Sequence, residues 1–206
     1  MRVIEVIIVL FLITIMLSFS NESEAKDINV PIFKSSNLES NLIVKEYKLK
    51  NLNDLTSYLI LDKQQNQVAL SKFKGCPIIL HFWATWCAHC VEEMSSLQLT
   101  FDEYSPQGLK VMAISIDKTG FEKISPFYEK YNLNSLPQYW DSIGNMPAKA
   151  RYYGGLPVSF LIDKTGIPIA RIDGAVNWQD KRVLRFMKDM QLLDKTSTTS
   201  KSKNCI

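Results

Sequence analysis

The sequence predicts an α/β domain: a central mixed sheet flanked by helices, with a β-hairpin extension on its N-terminal side. Three observations predict it. Between residues 55 and 193, short β-branched and aromatic runs alternate with longer segments whose apolar residues recur every three or four positions. The segments read β-β-β-α-β-α-α-β-β-α, an order that builds a sheet with helices on both faces. The composition is that of an ordinary globular protein, 46% hydrophobic, 22% charged and 11% aromatic over 206 residues. These fractions exclude a disordered chain, a collagen-like fibre, a polytopic membrane protein and a disulfide-dense miniprotein. The length suits one domain with short appendages.

The elements follow in order. Residues 1–25 open on an apolar run whose cleanest part, Val6 to Leu17, is shorter than the roughly 20 residues of a spanning helix. Ser23 and Ala25 are small residues suited to a cut after Ala25, so the segment reads as a signal peptide. Arg2 alone supplies side-chain positive charge ahead of that run, and Glu5 opposes it, which keeps a retained membrane anchor as the alternative. Residues 26–54 read as a polar linker, 55–193 as the folded domain, and 194–206, rich in Ser, Thr and Lys, as a disordered tail. Tyr58 to Leu61 and Val68 to Leu70 form the hairpin across a polar turn. Ile78 to Trp83 is apolar save for His81 and reads as a strand covered on both faces. Cys87 to Tyr104 is helical, with Met94, Leu97 and Phe101 on one stripe. Leu109 to Ile116 is a strand and Glu122 to Tyr131 an amphipathic helix. Asn145, with Pro147 in the first turn, starts a short helix reaching Tyr153. Val158 to Ile162 and Ile167 to Ile172 are strands joined by Asp163-Lys164-Thr165-Gly166, and Asn177 caps a last helix, Trp178 to Met190.

Charge and residue counts narrow the function. The net charge of +3 gives no basic field for nucleic acid, and two histidines with four cysteines make a metal cage of the usual kind hard to assemble. No cofactor is expected. The informative site is Cys87-Ala88-His89-Cys90, which follows a buried strand and opens a helix. Cysteines at i and i+3 on a first helical turn are close enough to bridge. Cys87 sits where unpaired N–H groups and the helix dipole favour an anion, which suits an attacking thiolate. Cys90, one turn inside, suits the resolving thiol. A structural disulfide and an incomplete metal site with His81 or His89 are the competing readings. His81 reads as a satisfied core or edge histidine, Trp83 as core, and Trp86 as a cover for one side of the thiols. Cys76 reads as a free thiol, with a bridge to Cys205 as the alternative.

Phe82-Trp83-Ala84-Thr85-Trp86-Cys87-Ala88-His89-Cys90-Val91-Glu92-Glu93-Met94 closely resembles the active-site segment of the TlpA/ResA-like thioredoxin family. Gly155-Leu156-Pro157-Val158-Ser159-Phe160-Leu161-Ile162-Asp163 resembles that family's cis-proline loop and following strand, and Gly174 followed by Trp178 its closing loop. The likeness spans roughly residues 55–190. It implies a thioredoxin-like fold and an exported or membrane-anchored thiol:disulfide oxidoreductase with Cys87 and Cys90 as the redox pair. It places Leu156-Pro157 as a cis bond beside that pair, with the Leu156 backbone free to pair with an extended substrate. It places Glu93 beneath the pair, where burial would raise its pKa and let it exchange protons with Cys90. Ser95 and His89 stand where the family usually has proline. Ala88 and His89 are the dipeptide that tunes the potential, and a His there resembles the strong oxidant DsbA.

The resemblance implies clients such as apocytochrome c or the copper-site cysteines of a respiratory oxidase. It also implies a periplasmic location, soluble or anchored to the inner membrane, and a membrane-embedded thiol donor of the CcdA/DsbD kind. A monomer that binds no nucleic acid is expected. Two alternatives accompany the reductase: a disulfide-forming oxidase, because of His89, and a thioredoxin-fold copper chaperone holding Cu(I) on Cys87, Cys90 and Met94.

Overall fold

The computed structural model describes residues 28–34, 45–49, 58–144, 146–149 and 154–193, with backbone alone for the first two segments. Among them the strands are β1 (Ile28–Lys34), β2 (Lys45–Leu49), β3 (Leu59–Asp62), β4 (Gln67–Ala69), β5 (Ile78–Trp83), β6 (Lys110–Ser115), β7 (Gln138–Trp140), β8 (Val158–Ile162) and β9 (Pro168–Asp173). The helices are α1 (Ala88–Tyr104), α2 (Phe121–Lys130), the single turn α3 (Met146–Lys149) and α4 (Lys181–Asp189). The strands form one mixed sheet in the order β2-β1-β9-β8-β5-β6-β7-β3-β4. β5, β6 and β7 run parallel, and β8 lies antiparallel to β5. Residues 1–25 and 194–206, read as signal or anchor and as tail, lie outside the described residues, as do Asn145 and residues 150–153.

β5 organises the interior because every one of its residues is buried. Its side chains alternate between two cores, as the two-residue period of a strand requires. Ile79 and Trp83 join Met94 and Leu97 of α1, Ile124 and Phe127 of α2, and Val183 and Met187 of α4. Ile78, Leu80 and Phe82 face the other way, onto Leu70, Phe73, Met112, Ile114 and Phe160. Each fully buried Leu, Ile or Phe contributes roughly 1.5–3 kcal/mol through the area it removes from water.

The sheet and its parts differ from the sequence reading in three places, and the helices α1, α2 and α4 share one core. The crossovers β5-α1-β6 and β6-α2-β7 step the same way across the sheet, and crossovers of one hand then put both helices on one side. The 3₁₀ turn Leu70–Phe73 contributes Leu70 and Phe73 to the opposite core. β7 was not anticipated, because its three residues are too few to show a period. The 26–54 stretch, read as a linker, carries β1 and β2, and β1 pairs parallel with β9. The last helix begins at Lys181 under an Asp180 cap, because Trp178 is drawn fully into the core ahead of it. Asn177 instead accepts the Gln179 N–H at 3.0 Å.

Candidate active site

The turn from β5 into α1 presents the cysteines. Cys87 is the N-cap of α1, in extended conformation, and its sulfur accepts the Cys90 N–H at 3.2 Å. The two are joined as a disulfide, with Cα atoms 5.2 Å apart. Cys87 is 8% exposed and Cys90 fully buried, so only the first sulfur can meet an outside partner. That asymmetry fits an attacking and a resolving thiol. Trp86, beside Cys87, is 69% exposed and forms an apolar shoulder at the site.

Asp117, buried at the end of β6, fixes the approach to the cysteines. Its carboxylate accepts the Thr85 N–H at 2.9 Å, the Thr85 hydroxyl at 2.7 Å and the Ser115 hydroxyl at 2.7 Å. Its carbonyl accepts Trp140 Nε1–H at 2.8 Å, and Trp140 lies flat over Gly120. Gly120 has φ +58°, and a methyl there would stand 2.6 Å from Trp140 Cδ2, so the close approach requires glycine.

Leu156-Pro157 is a cis bond, in agreement with the family resemblance, and Leu156 packs against the core that contains Cys87 and Cys90. His89 is exposed, and its Nδ1 lies 3.3 Å from the Glu92 carboxylate rather than against the sulfurs. Met94 is buried in the core. Cys76 is buried and is not a free thiol, contrary to the first expectation, while Cys205 lies outside the described residues.

Glu93 is 2% exposed, one turn beyond Cys90 on the inner face of α1. Its Oε2 accepts Trp178 Nε1–H at 2.9 Å and the Val176 N–H at 3.3 Å. Burial pushes its pKa up to about 8, against the opposing pull of those two donors. Its other oxygen, Oε1, has no hydrogen-bond partner and faces His81 Nε2 at 3.6 Å. His81 is therefore only half satisfied, through Nδ1 and the Ser159 hydroxyl at 2.8 Å. Burial lowers its pKa to about 3. The sequence reading missed this contact, although a lone imidazole in a wholly apolar strand was the available signal. It also missed Val176 and Asp117, whose roles depend on backbone and long-range geometry.

A strand-turn-helix with a bridged Cys-x-x-Cys pair at the helix start, beside a cis-proline loop, defines a thioredoxin-fold thiol:disulfide oxidoreductase. The profile of the AhpC/TSA family matches residues 43–169, and the chain belongs to that family, in its ResA/TlpA-like thioredoxin branch. It is 32% identical over 132 residues to the thiol-disulfide oxidoreductase ResA of Bacillus thuringiensis subsp. konkukian, covering 63% of this chain and 73% of that protein. ResA of Geobacillus kaustophilus is 28% identical over 123 residues, 60% of this chain and 69% of its own. Among solved structures, StoA from Bacillus subtilis superposes with a TM-score of 0.52 at 21% identity, covering 61% of this chain and 92% of StoA. The pneumococcal exposed lipoprotein thioredoxin Etrx1 from Streptococcus pneumoniae gives 0.55 at 19% identity, covering 64% and 98%. At those identities the two structures show the shared fold. The chain is a thiol:disulfide oxidoreductase acting on cysteine-containing proteins.

Proposed function

We propose that the chain is an exported reductase of selected protein disulfides. One observation carries the direction. His89, the residue that suggested an oxidant, points to solvent with its Nδ1 3.3 Å from the Glu92 carboxylate, turned away from the cysteine sulfurs. A strong oxidant is one whose reduced form is specially stabilised. Here the second thiol is instead buried beside a carboxyl group, which disfavours its anion.

The reaction balances on the two cysteines. The Cys87 thiolate attacks a client disulfide, one client sulfur leaves as thiolate, and a mixed disulfide forms. Cys90 loses its proton to Glu93 and attacks Cys87 Sγ, releasing the second client thiolate. The client gains two electrons and the protein is left with the Cys87–Cys90 disulfide. A membrane-embedded thiol donor of the CcdA/DsbD kind restores the dithiol. Trp86, Leu156 and Pro157 receive the client chain, and Ala88 and His89 set the potential. Glu93 lines a groove of about 520 Å³ with Ser96, Leu99 and Asn177, which gives its proton a path to water.

Apocytochrome c and oxidase copper-site cysteines are the proposed clients. Residues 1–25 deliver the domain as a signal or anchor, on the periplasmic side of the inner membrane. Among the described residues no helix is long and apolar enough to cross a membrane, and residues 1–25 lie outside them. A copper-chaperone role gains no support, since Met94 is buried away from the surface.

Equilibration with glutathione or dithiothreitol buffers tests the direction. We expect a potential near or below about −250 mV, and a value near about −120 mV, at the oxidant end of the range, overturns the reductase reading. Trapping with Cys90→Ala, which leaves the mixed disulfide unresolved, identifies the clients.

A further inference from the structure

Among the described residues three buried side-chain atoms lack hydrogen-bond partners, Trp83 Nε1, Glu93 Oε1 and His81 Nε2, and the last two face each other. Glu93 Oε2 is occupied by two N–H donors, so a proton on this carboxyl belongs on Oε1. Oε1 and His81 Nε2 are 3.6 Å apart, and neither has a hydrogen bond. That gap is too long for a hydrogen bond as it stands, and a few tenths of an ångström close it. The other imidazole nitrogen is committed: Nδ1 lies 2.8 Å from Ser159 Oγ, directly across the β5–β8 register. With Nδ1 carrying the ring proton, Nε2 offers a lone pair and nothing else. Trp178 holds both groups in place, donating to Glu93 and lying edge-on to the imidazole with ring centroids 6.4 Å apart.

We propose that His81 is a positioning residue that keeps Glu93 in its acid form, by accepting the Oε1 proton on Nε2. The contact is selective. It favours the carboxylic acid and offers the carboxylate only a lone pair. His81 thereby sets how readily Glu93 takes the Cys90 proton, and this deepens the reading of Glu93 as the proton partner of Cys90, on which it rests. Burial supports the assignment, because it holds His81 neutral and favours protonated Glu93.

The ionisable groups of the surrounding elements are few. α1 brings Cys87 and Cys90, joined in the oxidised state, and Glu92, which faces solvent with His89. β9 brings Asp173 and Arg171, paired with each other at 2.8 Å. The β9–α4 loop supplies the donors of Val176 and Trp178, and α4 begins with Asp180 bound to Arg182.

The test uses the full chain in its oxidised state, where neither Cys87 nor Cys90 titrates. Nitrogen NMR of labelled His81 at pH 6 should show a proton on Nδ1 and a bare, hydrogen-bonded Nε2. The Nε2 shift should then move with pH at the same midpoint as the Glu93 carboxyl carbon, and should stop moving in Glu93→Gln. His81→Phe, which keeps the ring volume without the acceptor, should raise the Glu93 acidity constant by about five- to tenfold. A proton on Nε2 at pH 6, a flat Nε2 shift while Glu93 titrates, or an unchanged or lowered Glu93 acidity in His81→Phe overturns the proposal. Because no Cys87 or Cys90 thiol is present, these outcomes are independent of whether Glu93 serves Cys90, which is read in the reduced protein. The nitrogen measurement stands on the native chain if His81→Phe fails to fold.

Discussion

Glu93 and Cys90 are three residues apart on α1, so their side chains are neighbours on one helix face. Proton transfer between them is efficient when their pKa values match near the working pH. A carboxyl raised to about 8 is close to a thiol's ordinary value of about 8.5, whereas a surface glutamate would be far too weak a base. Resolution of the mixed disulfide should therefore accelerate as pH rises through 8. Glu93→Gln, which keeps the size and loses the base, should slow that step by about 10²-fold and leave its rate following the thiol alone. Rapid acid quenching and mass spectrometry of the Cys87 adduct between pH 6 and 9 measure it. An unaltered rate and profile would remove Glu93 from the proton path. Trp178 and Val176 matter here by opposing the effect of burial: each donor to Oε2 favours the carboxylate, so the value stops near 8 instead of climbing further.

Between residue and fold stands the turn that carries Cys87. β5 ends at Trp83 and α1 starts at Ala88, and the residues between are tied to β6 through Asp117. Asp117→Ala strands the Thr85 N–H and hydroxyl and loosens the loop that aims Cys87. The loss should be on the order of 3 kcal/mol, since bonds to a charged acceptor are the stronger kind and buried orphans are penalised. Urea denaturation of the oxidised protein reads it, and a change within about 0.5 kcal/mol would mean the tie is ornamental. This level also shows what a sequence exposes. β5 and α1 were legible because their patterns are long and undiluted, and the Cys-x-x-Cys pair was legible because it sits at their junction. The cis Leu156-Pro157 bond was legible only through family likeness, as no local pattern distinguishes it from a trans proline. Asp117, Val176 and β7 were not legible. Their parts are assigned by contacts between segments distant in sequence, or by too few residues to show a period. His81 lay between these cases: its burial could be read from its strand, but its second partner could not.

At the scale of the whole molecule, the His81–Glu93 pair couples folding to pH with opposite signs. Glu93 has a folded pKa of about 8 against an ordinary 4.5, so the folded state binds more protons than the unfolded one between those values. Its contribution is fully present below 4.5 and is lost as pH rises toward 8. His81 has a folded pKa of about 3 against 6.5, so the folded state binds fewer protons there. Its contribution is present above 6.5 and is lost as pH falls toward 3. Between 4.5 and 6.5 the two slopes cancel. The oxidised protein should therefore show a stability plateau in that interval, with a decline on either side. The fall from pH 6.5 to 8 should be on the order of 2 kcal/mol, because a tenfold change in proton affinity is worth about 1.4 kcal/mol. Glu93→Gln should flatten the alkaline decline and His81→Phe should soften the acid one. Urea midpoints of the three proteins from pH 4 to 9 test this. Stability that climbs steadily to pH 8 in the native chain would contradict a buried neutral glutamic acid beneath the disulfide, and with it the proton store assigned to Cys90.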